Sequence, residues 1–148
     1  MKIEIFTDGA CKGNPGIGGW GALLRYGEYE KALCGAEGYT TNNRMELMAV
    51  IQALRTIKRP LPLCITTDSN YVKQGMTEWL PKWKQKGWRG ANQQPIKNQD
   101  LWQELDQLVQ AYEIEWRWVK GHSGHKDNER VDELANQAIA QWRAQQAK

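Results

Sequence analysis

The chain has 148 residues, enough for one domain with a substantial core, and 41% of them are apolar. No apolar run approaches the roughly 18 residues that span a membrane, and the N-terminus lacks a basic start followed by an apolar stretch. The expectation is therefore a soluble cytoplasmic protein with no membrane partner. A net charge of +3 is too mild to indicate a polyanion by itself, and the three widely spaced cysteines suit neither a disulfide framework nor a zinc site.

Residues 2–9 alternate in the period-2 pattern of a strand that delivers Asp8 to its carboxyl end, with Gly9 and then Gly13-Asn14-Pro15-Gly16 supplying turn chemistry. A second strand is expected over 18–26 and a third over about 29–39, joined at Gly27-Glu28, so the sheet begins as an antiparallel meander. Cys34 and Cys64 read as small core residues. Thr40 to Asn43 carry helix-start residues, and Leu47, Val50, Ile51, Leu54 and Ile57 share one face of a helix over about 43–58. Pro60 and Pro62 stop it. Residues 63–67 form a short apolar, β-branched strand, which crossover logic makes parallel to the first, and Asp68 ends it as Asp8 ends that one.

Beyond it come a short helix at 71–75, a second at 79–86, a third at 100–111 and a fifth strand at 114–118. Gly121 to His125 form a glycine-bounded loop, and a last helix starting near Asp127 or Asn128 runs into a frayed tail at 143–148. About five helices then flank five strands in an α/β arrangement. Between Trp79 and Lys97 the chain carries Lys82, Lys84, Lys86, Arg89 and Lys97 with no acid, interleaved with Trp79, Trp83 and Trp88. That combination suits a phosphate backbone with sugar faces beside it.

Four acids can converge on the carboxyl end of this sheet: Asp8, Asp68, Glu46 one turn into the long helix, and Asp132 near the start of the last. Each has a plainer reading, since Asn43-x-x-Glu46 fits a capping box, Asp68-Ser69 a helix cap, and Asp132 the flank of an amphipathic helix. Together they would repel one another unless cations sat among them. All-oxygen donors point to magnesium or manganese over zinc. Two such ions about 3.5–4 Å apart would activate a water and stabilise the leaving oxygen of a phosphodiester.

The separated motifs Phe6-Thr7-Asp8-Gly9, Gly13-Asn14-Pro15-Gly16, Thr41 to Leu47, Thr67-Asp68-Ser69, Trp79 to Trp88, Trp118 to His122 and Asn128 to Ala135 stand in an order that resembles ribonuclease HI of the bacterial type over nearly the whole chain. The resemblance implies a ribonuclease H-like fold with a five-stranded mixed sheet, three antiparallel strands followed by two parallel additions. It also implies endonucleolytic cleavage of the RNA strand of RNA/DNA hybrids with little sequence preference, leaving 5′-phosphate and 3′-hydroxyl ends. Asp8, Glu46, Asp68 and Asp132 match the family's ligands for two Mg2+ ions bound with substrate, with Mn2+ as substitute, and His122 matches a histidine that assists proton transfer or product departure.

By the same resemblance Cys11, Asn14, Asn42, Glu46 and Gln74 contact the hybrid's minor groove. Asn70 stands where relatives often have glutamine. Asn43 reads the DNA strand's groove edge, Thr41 and Arg44 resemble a DNA-phosphate site, and Trp79, Lys84, Lys86, Trp88 and Arg89 belong to a basic handle over about 79–97. Gln85 interrupts the handle's lysine run, which predicts weaker and less salt-sensitive binding than in a relative with the full cluster. Trp83 is expected to be core, and His125 matches no role. The implied protein is a monomer without an obligate protein partner. A strand-transferase or junction resolvase on the same sheet would need a further DNA-recognition domain, and a hybrid-binding module without catalysis would have no use for acids facing phosphates.

Overall fold

A computed structural model describes residues 1–90, 94–120 and 126–146. Strands β1 (Ile3–Lys12), β2 (Gly16–Tyr26) and β3 (Tyr29–Thr40) form the expected antiparallel meander. β4 (Leu63–Thr67) pairs parallel with β1, and β5 (Ile114–Trp118) parallel with β4, giving the order β3-β2-β1-β4-β5. This is the mixed sheet of three antiparallel strands and two parallel additions.

Helix α1 (Asn42–Thr56) makes the crossover and packs on β1 and β2. α2 (Asn70–Gln74) runs without a break through a π-helical turn (Gly75–Trp79) into α3 (Leu80–Gln85), while α4 (Gln99–Val109) lies on α1 and α5 (Lys126–Gln146) covers the opposite face of β1–β3. The five expected helices are thus four continuous bodies. The two short ones merge because residues 75–79 keep helical backbone while widening the turn, and the Leu80 N–H reaches back five residues to the Gly75 carbonyl. The position must be glycine: a Cβ on Gly75 would run into the indole of Trp102. α5 is helical through Gln146, so residues 143–146, expected in a frayed tail, continue it.

The core is two-sided because β1 alternates. Ile5 faces α1 with Leu47, Val50, Ile51, Leu54, Ile65 and Trp102, whereas Phe6 faces α5 with Leu23, Val131 and Leu134. Full burial of each aliphatic side chain is worth about 1.5–3 kcal/mol. Cys64 is buried as expected, but Cys34 is exposed. It lies on the edge strand β3, whose sequence does not alternate strictly enough to reveal which residues face out. No helix among the described residues is long and apolar enough to cross a membrane.

Candidate active site

The site is opened by a divergence in the sheet. β1 and β4 pair in register from Ile3 opposite Leu63 to Phe6 opposite Thr66 and then part, while β1 continues against β2 as far as Lys12 opposite Ile17. Asp8 therefore does not end its strand, as the turn residues suggested; it sits mid-ladder opposite Gly21, two residues past the last rung shared with β4. The Gly9 N–H donates to Asp8 Oδ1 at 2.9 Å. Gly9 ends nothing either, and its role is close approach, since a Cβ there would lie 2.5 Å from the Glu46 backbone nitrogen and 2.6 Å from the Met45 carbonyl carbon. Its missing side chain lets the first turns of α1 rest on β1.

That contact brings Glu46 to Asp8. α1 is capped by Thr41, whose hydroxyl accepts from Arg44 N–H at 3.2 Å, so Glu46 is not needed as a capping acid. Glu46 is 6% exposed as a residue, and its Oε1 is buried without a hydrogen-bond partner. On the other side Ser69 caps α2 through Val72 N–H at 3.1 Å, which frees Asp68 to face the crevice. Asp8, Glu46 and Asp68 each offer a carboxylate oxygen within 4.8 Å of the others.

Burial pushes the Asp8 carboxyl from its ordinary 3.8 up to about 7, helped by the charge of Asp68 and, more weakly, of Asp132, against hydrogen bonds from Glu46 and Gly9 that pull it down. Glu46 is held well above the usual range by burial first and by the charges of Asp8 and Asp68 next. Two carboxyls that resist ionisation, Asp8 and Glu46, stand beside the charge of Asp68, and with the orphaned Glu46 Oε1 they fit a divalent cation among hard donors. Asp132, exposed on α5, stands outside the 4.8 Å circle and reaches the group only through its field on Asp8. The expected set of four is thus three in contact and one at the rim, because α5 approaches from the far face of the sheet. His122 and His125 lie outside the described residues.

The RNase H family profile matches residues 1–140. This chain belongs to the RNase H family. A ribonuclease H from Dichelobacter nodosus (strain VCS1703A) is 66% identical over 141 residues, covering 95% of this chain and 94% of the relative. Ribonuclease HI from Neisseria meningitidis serogroup B is 58% identical over 142 residues, covering 96% and 98%. Among solved structures LC9-RNase H1, described as a type 1 RNase H with the type 2 active-site motif, superposes with a TM-score of 0.84 at 38% identity, covering 93% of this chain and 72% of that one. The chain is a bacterial-type RNase H enzyme, and the activity of that family is hydrolysis of RNA in RNA/DNA hybrids.

The residues expected to meet the hybrid form a connected belt in this RNase H. Cys11 Sγ contacts the carbonyls of Gly13 at 3.1 Å and Thr40 at 3.4 Å, and Asn14 Oδ1 accepts from Asn42 N–H at 3.0 Å, tying the β1–β2 turn to the start of α1. Asn42 and Asn43 follow the Thr41 cap, half-buried. The Arg44 guanidinium forks onto Asp100 at 3.0 and 2.8 Å and donates to Asn98 Oδ1 at 3.1 Å. Asn98 Nδ2 and Trp102 Nε1 both donate to the Tyr71 hydroxyl, at 2.9 and 3.0 Å, carrying the belt to α2 and its exposed Asn70 and Gln74. Arg44 is therefore already engaged by an acid where the resemblance gives it a phosphate.

In the handle Trp83 lies among Trp79, Trp88 and Trp102, with ring centroids 6.0, 6.1 and 5.7 Å away, so it is core as expected. Trp79 and Trp88 are half-buried against it. Lys84 pairs with the buried Asp106 at 3.3 Å, while Lys86 and Arg89 are exposed. Sequence reasoning missed the role of Gly9, taken for a terminator, whose missing side chain seats α1 and Glu46 on β1. It also missed Asn98, Tyr71 and Asp100, which hold Arg44 and belong to elements distant in sequence.

Proposed function

We propose that this RNase H cleaves the RNA strand of RNA/DNA hybrids by two-metal-ion phosphodiester hydrolysis, leaving 5′-phosphate and 3′-hydroxyl ends. The observation that carries the reading is the convergence of Asp8, Glu46 and Asp68 around the unpartnered, buried Glu46 Oε1. Bound Mg2+, with Mn2+ as substitute, would supply an activated water and charge stabilisation at the leaving oxygen. Asp8, Glu46 and Asp68 would hold the ions directly, with Asp132 completing the set from the rim. Gly9 N–H fixes the Asp8 carboxylate, and the close seating of α1 on Gly9 fixes Glu46. His122 would move a proton at the leaving oxygen or speed product departure.

Cys11, Asn14, Asn42, Asn70 and Gln74 would read the RNA strand's 2′-hydroxyls, with Asn43, Thr41, Arg44 and the handle residues Trp79, Lys84, Lys86, Trp88 and Arg89 against the DNA strand. The working protein is a cytoplasmic monomer in which residues 1–148 act as one domain. The test is incubation of labelled hybrid, duplex DNA and duplex RNA with Mg2+ and with chelator. Metal-dependent loss of only the hybrid's RNA, with fragments that shift on phosphatase treatment of their 5′ ends, is the expected result. Cleavage in chelator, or of duplex DNA, would refute it.

A further inference from the structure

Beside the three carboxylates, on the β5 side of Asp68, a cavity of about 360 Å³ opens between the start of α2 and the end of β5, lined by Asp68, Asn70, Lys73, Trp118 and Lys120 among others. Thr67 pairs with Trp118, and Val119 N–H donates to the Thr67 carbonyl at 3.1 Å, so Lys120 leaves the sheet beside Asp68 and Ser69. Lys73 reaches the same space from α2.

Several cations elsewhere in the chain are matched with acids: Arg25 with Asp127 and Glu30, Arg44 with Asp100, Lys84 with Asp106. Lys73 and Lys120 are exposed and have no acidic partner among the described residues. Two ammonium groups facing one cavity repel each other, and an anion between them removes that cost.

The sheet order identifies the anion. The crevice passes Asp8 on β1, Asp68 just beyond β4 and Lys120 just beyond β5, the strands being neighbours roughly 4.8 Å apart. A strand whose reacting phosphate lies over the carboxylates carries its next phosphate over the lysines. Lysine, a compact charge on a flexible stem, suits a phosphate held without a forked geometry. Trp118 walls the cavity with apolar surface, and the Asn70 amide stands ready for the intervening sugar.

We propose that Lys73 and Lys120 hold the RNA phosphate adjoining the cleaved one and so set the register of the strand over the carboxylates. The inference rests on hybrid cleavage as proposed above, and both lysines are positioning residues. Lys73→Gln and Lys120→Gln each raise KM about 3- to 10-fold with kcat within about twofold, and each lowers the salt slope of hybrid binding, measured in chelator, by about 0.7–0.9. Lys→Arg at either position restores binding. Lys58→Gln, at the opposite end of the sheet, leaves the slope unchanged, and thermal unfolding of every variant matches the parent.

A hybrid with one neutral methylphosphonate beside a fixed cleavage position localises the contact: the parent loses affinity as the double variant does, and the double variant loses nothing further. Unchanged salt slopes, or equal methylphosphonate losses in parent and double variant, would overturn the lysine site while leaving hybrid cleavage intact. A parent that cleaves no hybrid would overturn both.

Discussion

Asp8→Asn should make the metal-free protein more stable while abolishing turnover. The Asp8 carboxyl lies at about 7 in the folded chain against an ordinary 3.8, so between those values the folded state holds a proton that the unfolded state has released. Stability then falls as pH rises from about 4 to 7 and stays low above. At 1.36 kcal/mol per pH unit the interval amounts to about 4 kcal/mol, an upper bound because Glu46 shares the same proton. The amide keeps the shape and still accepts from Gly9 N–H but carries no charge.

We expect a gain of about 2 kcal/mol at pH 8 in chelator, about 4–8 °C in Tm for a chain of this size, shrinking toward zero below about pH 4. Mg2+ should raise the Tm of the parent at pH 8 and barely move the variant. Thermal unfolding followed by circular dichroism at both pH values, with and without Mg2+, measures all four numbers. A variant less stable than the parent at pH 8, or equally favoured at both pH values, would refute the assignment of Asp8 to a repulsive, cation-seeking cluster.

Gly9→Ala should cost about 1–3 kcal/mol in urea unfolding and most of the activity, because a methyl group there pushes α1 and Glu46 off β1. Asp68→Asn should weaken Mg2+ binding by isothermal titration more than Asp132→Asn does, since only Asp68 lies within the 4.8 Å set; equal losses would place Asp132 in direct contact. Lys84→Gln should lower stability by about 1 kcal/mol by leaving the buried Asp106 without its ion pair, and should change the salt slope of hybrid binding less than Lys86→Gln, whose ammonium has no acidic partner among the described residues.

What the sequence made legible follows the strength of its periodicities. Residues 63–67 and 114–118 are strands to the residue, and α1 lies within two residues of its expected ends, because apolar patterning there is unambiguous and Thr41 and Pro60 mark the boundaries. Gly9 misled because a glycine needed for a close approach looks the same as one needed for a turn; only the fold reveals that α1 lies against it. The join of α2 and α3 escaped notice because a π turn shifts the apolar stripe by one residue, as a break would. Asp132 looked equivalent to the other acids because motif order carries no distance, and its exposure on α5 depends on how far that helix stands from the crevice.

The continuation of β1 past its last rung with β4 bears on which cations the protein will tolerate. An acid carried in a paired ladder has little freedom to swing, so adaptation to ion radius falls to its partners on a helix and a strand end. Mg2+ accepts oxygens only near 2.0–2.1 Å, whereas Ca2+ sits at about 2.3–2.6 Å. A receptacle with one rigid wall should hold the larger ion yet misalign whatever it is meant to polarise, so that calcium would occupy the crevice and leave the enzyme idle.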